Sequence, residues 1–135
     1  MTDEPLLHDE HPNATAYRSA AAAFRSGDLA VIETLVDADV VWHVPGNHDL
    51  AGDLRGRQAL VEFLTRVAAL GFWLREHDVF GNDLHVCALS EMGAKRPGTD
   101  VACRVVSIFH FRDGRQVERG FYPEDGAAWD AIFTS

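Results

Sequence analysis

The hydrophobic period of this chain changes once, at Gly71. Before that point apolar residues recur at the spacing of a helix face, first as Tyr17, Ala20, Ala21 and Phe24, then as Leu29, Ile32, Leu35 and Val36, then as Leu60, Phe63, Leu64 and Val67. After it the alternation runs every second residue, the period of a strand. A chain ordered in this way has to lay the apolar stripes of its helices against one face of its sheet, which predicts an α+β domain.

The punctuation supports that division. The first helix is expected from Asn13 to a stop at Gly27, and Asp28 is placed to cap a second, shorter one. A first strand over residues 40–44 ends at Pro45-Gly46, because proline supplies no ladder donor. A glycine-rich, charged loop then leads to a third helix over 57–70. Four strands are expected over 72–79, 84–92, 101–112 and 115–122, joined by short turns at 81–83, 95–98 and 113–114, so neighbours pair antiparallel. Asp125 and Gly126 precede a last short apolar segment, 127–133. Residues 1–12, polar and without period, read as a mobile tail, leaving 13–135 as the domain.

Composition narrows the partners. Acidic residues outnumber basic ones by 21 to 12, a formal charge of −9, and the arginines are scattered, so nucleic acid is not expected. No apolar run reaches the roughly 18 residues that cross a bilayer, and Met1-Thr2-Asp3-Glu4 lacks a basic leader, which reads as cytoplasmic and not membrane-bound. Cys87 and Cys103 lie in apolar strand runs, the setting of reduced thiols. His43, His48, Asp49 and Asp53 match no metal-ligand spacing, and no glycine-rich phosphate cradle follows a strand, so neither metal nor cofactor is expected.

Several phrases carry a family resemblance: Phe24-Arg25-Ser26-Gly27-Asp28, Val41-Trp42-His43-Val44-Pro45-Gly46, Leu50-Ala51-Gly52 with Arg55-Gly56, and Phe111-Arg112-Asp113-Gly114-Arg115 followed by Tyr122 and Asp125. With the order of elements, the chain resembles the SnoaL-like and ketosteroid-isomerase-like members of the nuclear transport factor 2 superfamily. The resemblance implies a cone-shaped fold, three N-terminal helices packed on a strongly curved, mainly antiparallel sheet enclosing a pocket. It implies a fold that hosts isomerases, cyclases, dehydratases, epoxide hydrolases and plain binding domains. Carried over by the shared phrases, the isomerases' tyrosine and acid fall on Ala20 and Val44, and their second oxyanion donor falls near Ser107. The cyclases' histidine and aspartate fall near Ser107 and Phe121, and the hydrolases' Arg-x-Asp pair has no counterpart.

By that parity the ligand wall is expected to contain Trp42, Val44, Cys103, Ser107, Phe109 and Phe121, with Tyr17 and Phe24 presented from the first helix. Such a wall suits a small hydrophobic molecule, and the same residues can equally fill a core. His43, Asp125 and Tyr17 are the candidate catalytic groups. Strand alternation points His43 away from Trp42 and Val44, so it is also a candidate structural or interface residue, and Asp125 is also a candidate helix cap. Two functions are open: cofactor-free proton transfer on a hydrophobic carbonyl or polyketide-like compound, or a binding domain for such a ligand. The outer face of the 101–112 strand, carrying Ala102, Val106 and Ile108, needs a cover, and a homodimer through the sheet is the expected one.

Overall fold

The computed structural model describes residues 10–134; residues 1–9, most of the expected tail, and Ser135 lie outside the described residues. The helices α1 (Pro12–Arg25) and α2 (Leu29–Leu35) lead directly into β1 (Val36–Val44), followed by β2 (Gly52–Arg55) and α3 (Arg57–Ala69). The strands β3 (Phe72–Gly81), β4 (His85–Arg96), β5 (Thr99–Arg112) and β6 (Arg115–Pro123) then run in sequence to α4 (Gly126–Phe133). The six strands form one sheet in the order β2-β1-β6-β5-β4-β3. Every neighbouring pair is antiparallel except β1 and β6, which run parallel because the chain crosses over between them.

The mixed helix-and-sheet architecture is the expected one, with four differences. Residues 10–12 do not belong to a tail: Pro12 opens α1 and His11 is its N-cap, the imidazole Nδ1 accepting from Asn13 N at 3.0 Å. Asn13 in turn donates to the carbonyls of Asn82 and Asp83, which pins the start of α1 to the β3–β4 turn. The first strand starts at Val36, because Arg57 holds the Val36 carbonyl and Val36 pairs with Gln116. The loop after Gly46 contains β2, whose pairing with β1 no apolar alternation announces. The last apolar segment is a full helix, α4, whose Trp129, Ile132 and Phe133 are buried.

Two apolar clusters fill the inner side of the sheet. One gathers Val36, Trp42, Phe63, Val67, Met92, Phe121, Trp129 and Phe133, and the other gathers Ala14, Tyr17, Val79, Val86, Phe109 and Phe111. Leu74 touches both. The ends of α3 and α4 are tied by Arg96, whose guanidinium donates to the carbonyls of Leu70, Ala131, Ile132 and Thr134, four acceptors that the helices themselves leave open.

The turn from α3 into the sheet is a tight point of the fold. Gly71 has a φ of 77°, a conformation that costs an ordinary residue about 1–2 kcal/mol. A Cβ there would also lie 2.2 Å from the Lys95 carbonyl oxygen, while Lys95 N donates to the Gly71 carbonyl at 3.1 Å. Gly71→Ala is therefore expected to lower stability by more than the backbone cost of about 1–2 kcal/mol. An unchanged midpoint in urea denaturation would refute this account of the turn.

Candidate functional site

The sheet is bulged on both sides of the place where the two clusters meet. On β6, Phe111 pairs with Gln116 but His110 pairs with Glu118, so Val117 is an extra residue and the side-chain alternation is reset. Gln116, Arg119 and Phe121 all face inward as a result, at 3%, 5% and 8% exposure. On β3, Glu76 pairs with Ser90 and Asp78 with Leu89, which resets the alternation at His77 and leaves both Glu76 and Val79 on the inner face.

Arg119 is the centre of the site. Its guanidinium carbon lies 4.1 Å from the ring centroid of Phe121, 4.5 Å from Trp42, 4.6 Å from Phe109 and 5.7 Å from Tyr17. Nη2 donates to Ser107 Oγ at 2.9 Å, and among the described residues the buried Nε has no hydrogen-bond partner. Burial lowers the guanidinium pKa to about 10, against the raising influence of Tyr17 and Glu76, so the group stays a cation at neutral pH. Ring faces carry negative charge density, and such contacts contribute about 2 kcal/mol or more when they are desolvated.

A second polar chain meets the same place. The Tyr17 hydroxyl donates to Glu76 Oε2 at 3.1 Å, and Arg25 donates to Glu76 Oε1 at 3.2 Å from the more exposed side. Burial raises the Tyr17 pKa to about 12, with Glu76 adding to the rise and Arg119 opposing it. Across the site, Trp42 Nε1 donates to Gln116 Oε1 at 2.6 Å, both groups buried.

Several of these groups line a cavity of about 60 Å³. Its polar lining is Tyr17, Gln116 and Arg119; the remainder is apolar, with Phe24, Trp42, Phe121 and Trp129 prominent. Of the residues expected at the wall, Trp42, Phe24, Phe121 and Tyr17 reach it. Val44 and Cys103 are buried in the cluster beside it, and Ser107 and Phe109 stand behind Arg119 as its hydrogen-bond acceptor and one of its rings. Arg119, Gln116 and Glu76 are the polar groups absent from the expected wall: Arg119 shares the parity of Phe121 and Glu76 that of Phe72 and Leu74, so alternation could have found them, whereas Gln116 turns inward only through the bulge at Val117.

The other candidate catalytic groups lie elsewhere. His43 is on the opposite face of β1, Nδ1 2.8 Å from Asp53 Oδ1 and Nε2 2.6 Å from Glu118 Oε2, and Glu118 also contacts His110 Nδ1 at 3.1 Å. Asp125 caps α4, its carboxylate accepting from Ala128 N at 3.1 Å. His48 accepts from Leu50 N and stacks on Phe133, and among the described residues no group of three His, Cys, Asp or Glu side chains can hold a metal. No described helix is long and apolar enough to cross a membrane.

A curved sheet wrapped by helices around an apolar, polar-tipped cavity defines a protein of the nuclear transport factor 2 fold, and solved structures agree. An NTF2-like protein from Burkholderia xenovorans superposes with a TM-score of 0.78 over 93% of this chain and 98% of its own, at 19% identity. The chain belongs to the SnoaL-like domain family, whose model matches residues 17–119. It is similar to Bal32a from a soil-derived mobile gene cassette, at 32% identity and a TM-score of 0.80, covering 90% of this chain and 96% of that one. It is also 33% identical over 120 residues to the uncharacterized protein Rv0034 of Mycobacterium tuberculosis, covering 86% of this chain and 92% of that protein.

The outward His43 cluster has a measurable signature. Hydrogen bonds that the imidazole donates to Asp53 and then to Glu118 raise its pKa above the usual 6.5, with burial acting against them. A raised folded pKa gives stability that is complete below the unfolded value and is lost as pH rises through the folded one. The stability advantage of the parent over His43→Gln is therefore expected to be larger at about pH 6 than at about pH 9. The difference should be a few tenths of a kcal/mol, because all three side chains are nearly half exposed. Equal advantages in urea melts at the two pH values would show that the histidine is not paired in solution.

Proposed function

We propose that this SnoaL-like domain is a small-molecule enzyme that acts without cofactor on a hydrophobic carbonyl or polyketide-like compound by proton transfer, in the manner of an isomerase, cyclase or dehydratase. The observation that carries the reading is the buried Arg119 guanidinium, set in an aromatic wall that lines the cavity, its Nε without a hydrogen-bond partner among the described residues. A carbonyl oxygen placed there accepts from Arg119, and the negative charge it gains as the neighbouring carbon loses a proton meets a fixed cation in a site of low dielectric.

The proton acceptor in this reading is the Tyr17–Glu76 pair. As the substrate C–H proton moves to the Tyr17 oxygen, the hydroxyl proton passes to Glu76 Oε2 along the existing hydrogen bond. The C–H electron pair becomes the enolate double bond and the carbonyl π pair moves onto oxygen. Reprotonation at a different carbon completes an isomerisation. His43 and Asp125 drop out of this scheme, since the sheet and the α4 cap hold them away from the cavity.

The placement of those two groups also favours a second reading, a domain that binds such a compound and transforms nothing. Deuterium exchange at the α-carbon of ring ketones such as 2-tetralone, followed by NMR in heavy water, separates the two. Catalysed exchange should fall by about 10²–10³ in Arg119→Met and by about 10²–10⁴ in Glu76→Gln. Ketones that bind but exchange no faster than in buffer would leave the binding domain.

The proposal includes a homodimer through the outer face of the sheet. Ile108 is 39% and Tyr122 59% exposed there, around a depression that also holds Leu89 and Val106. The rim carries both signs of charge, Arg75 beside Glu91 and Arg104 beside Glu124, so a two-fold axis can set each sign against the other. Sedimentation of the chain should give a dimer at micromolar concentration and a monomer after Ile108→Glu; a parent that sediments only as monomer removes the dimer from the proposal.

A further inference from the structure

The charges around the cavity do not sum to zero. Glu76 is already matched by Arg25 at 3.2 Å and by the Tyr17 hydroxyl, so the nearest carboxylate is engaged on both oxygens. Arg119, at 5% exposure, makes no ion pair among the described residues; its neighbours are four rings and the oxygens of Ser107 and Tyr17. One formal positive charge is thus left inside a chain whose net charge is −9. A buried cation held by rings and neutral hydroxyls alone remains several kcal/mol short of its solvation in water. An anion entering the cavity restores most of that deficit through a charge-assisted hydrogen bond, which a neutral oxygen does not.

From this imbalance, and resting on the reading of the cavity as a small-molecule site, we propose that the occupant Arg119 selects is a hydrophobic organic anion, a ring-sized apolar body bearing one delocalised negative oxygen. The apolar body meets Phe24, Trp42, Phe121 and Trp129, and the oxygen meets the free face of the guanidinium. A carboxylate and the enolate of an acidic 1,3-dicarbonyl share this chemistry. Only the second is also the kind of ion that the proton transfer proposed above generates.

Matched probes decide the matter on the parent chain alone. Benzoate and dimedone, both ionised at neutral pH, are titrated against their neutral analogues benzamide and cyclohexanone, with quenching of tryptophan fluorescence or calorimetry as the readout; Trp42 and Trp129 both line the cavity. At least one anion is expected to bind roughly 10–100-fold more tightly than its neutral analogue, and Arg119→Met should abolish that preference while still binding the neutral one. Preference for benzoate alone or dimedone alone sustains the proposal and tells a carboxylate from an enolate. Equal affinity of anion and neutral analogue, or a preference that survives in a folded Arg119→Met, overturns it and leaves the cavity reading standing. If none of the four probes binds at millimolar concentration, this inference and the small-molecule reading fall together.

Discussion

The arrangement of the inner face depends on one buried guanidinium. Removing a cation of this kind from water costs several kcal/mol even after the protein relaxes around it. Arg119 is tolerated because Trp42 from β1, Phe109 from β5, Phe121 from β6 and Tyr17 from α1 all turn toward it, the nearest ring 4.1 Å away. Those four rings come from four separate elements, so the cation is also a point at which α1 and three strands are held in one relative placement. Trp42 is fixed further by its hydrogen bond to Gln116, and Phe121 by its contact with Trp129.

Around that cation the interior divides into two apolar clusters with polar groups between them. Glu76, Tyr17, Arg119 and Ser107 occupy the boundary, and Arg25 carries the row to the surface. A uniform apolar core would pack more simply, because every buried polar group has to find a partner. The row is therefore the part of the molecule where stability gives way to chemistry: a hydroxyl and a guanidinium lining one cavity, with a carboxylate bonded behind the hydroxyl. The outer face works differently. There His43, Asp53, Glu118 and His110 form a half-exposed chain of ion pairs that joins β2, β1, β6 and β5, a use of histidine for strand cohesion in a water-facing sheet.

Much of this could be read from residue spacing. The change of period at Gly71, the caps at Asp28 and Asp125 and the hairpin at Asp113-Gly114 all act over a few residues, so they place the helices and most of the strands without reference to anything distant. Alternation also sends His43 to one face of β1 and Trp42 and Val44 to the other, as the structure has them. The elements that spacing missed are those whose reason is non-local. β2 exists because β1 offers it an edge, and β1 begins at Val36 because Arg57 and Gln116 meet it there.

The site shows the same boundary more sharply. Residue type and period determined, with no structure, that an aromatic and aliphatic inner face would include Trp42, Phe109 and Phe121 and that α1 would add Tyr17 and Phe24, because burial of apolar surface follows from the side chains themselves. How that inner face continues along β6 and β3 was decided by two extra residues, Val117 and His77, that bulge the strands. Each bulge flips the parity of everything beyond it along the strand. The flip at Val117 brings Gln116 inward beside Trp42, onto the face that Arg119 and Phe121 already share, and the flip at His77 sets Val79 on the same face as Leu74 and Glu76. A bulge is set by how two strands register against their neighbours, and that register belongs to the assembled sheet, not to any stretch of the chain taken alone.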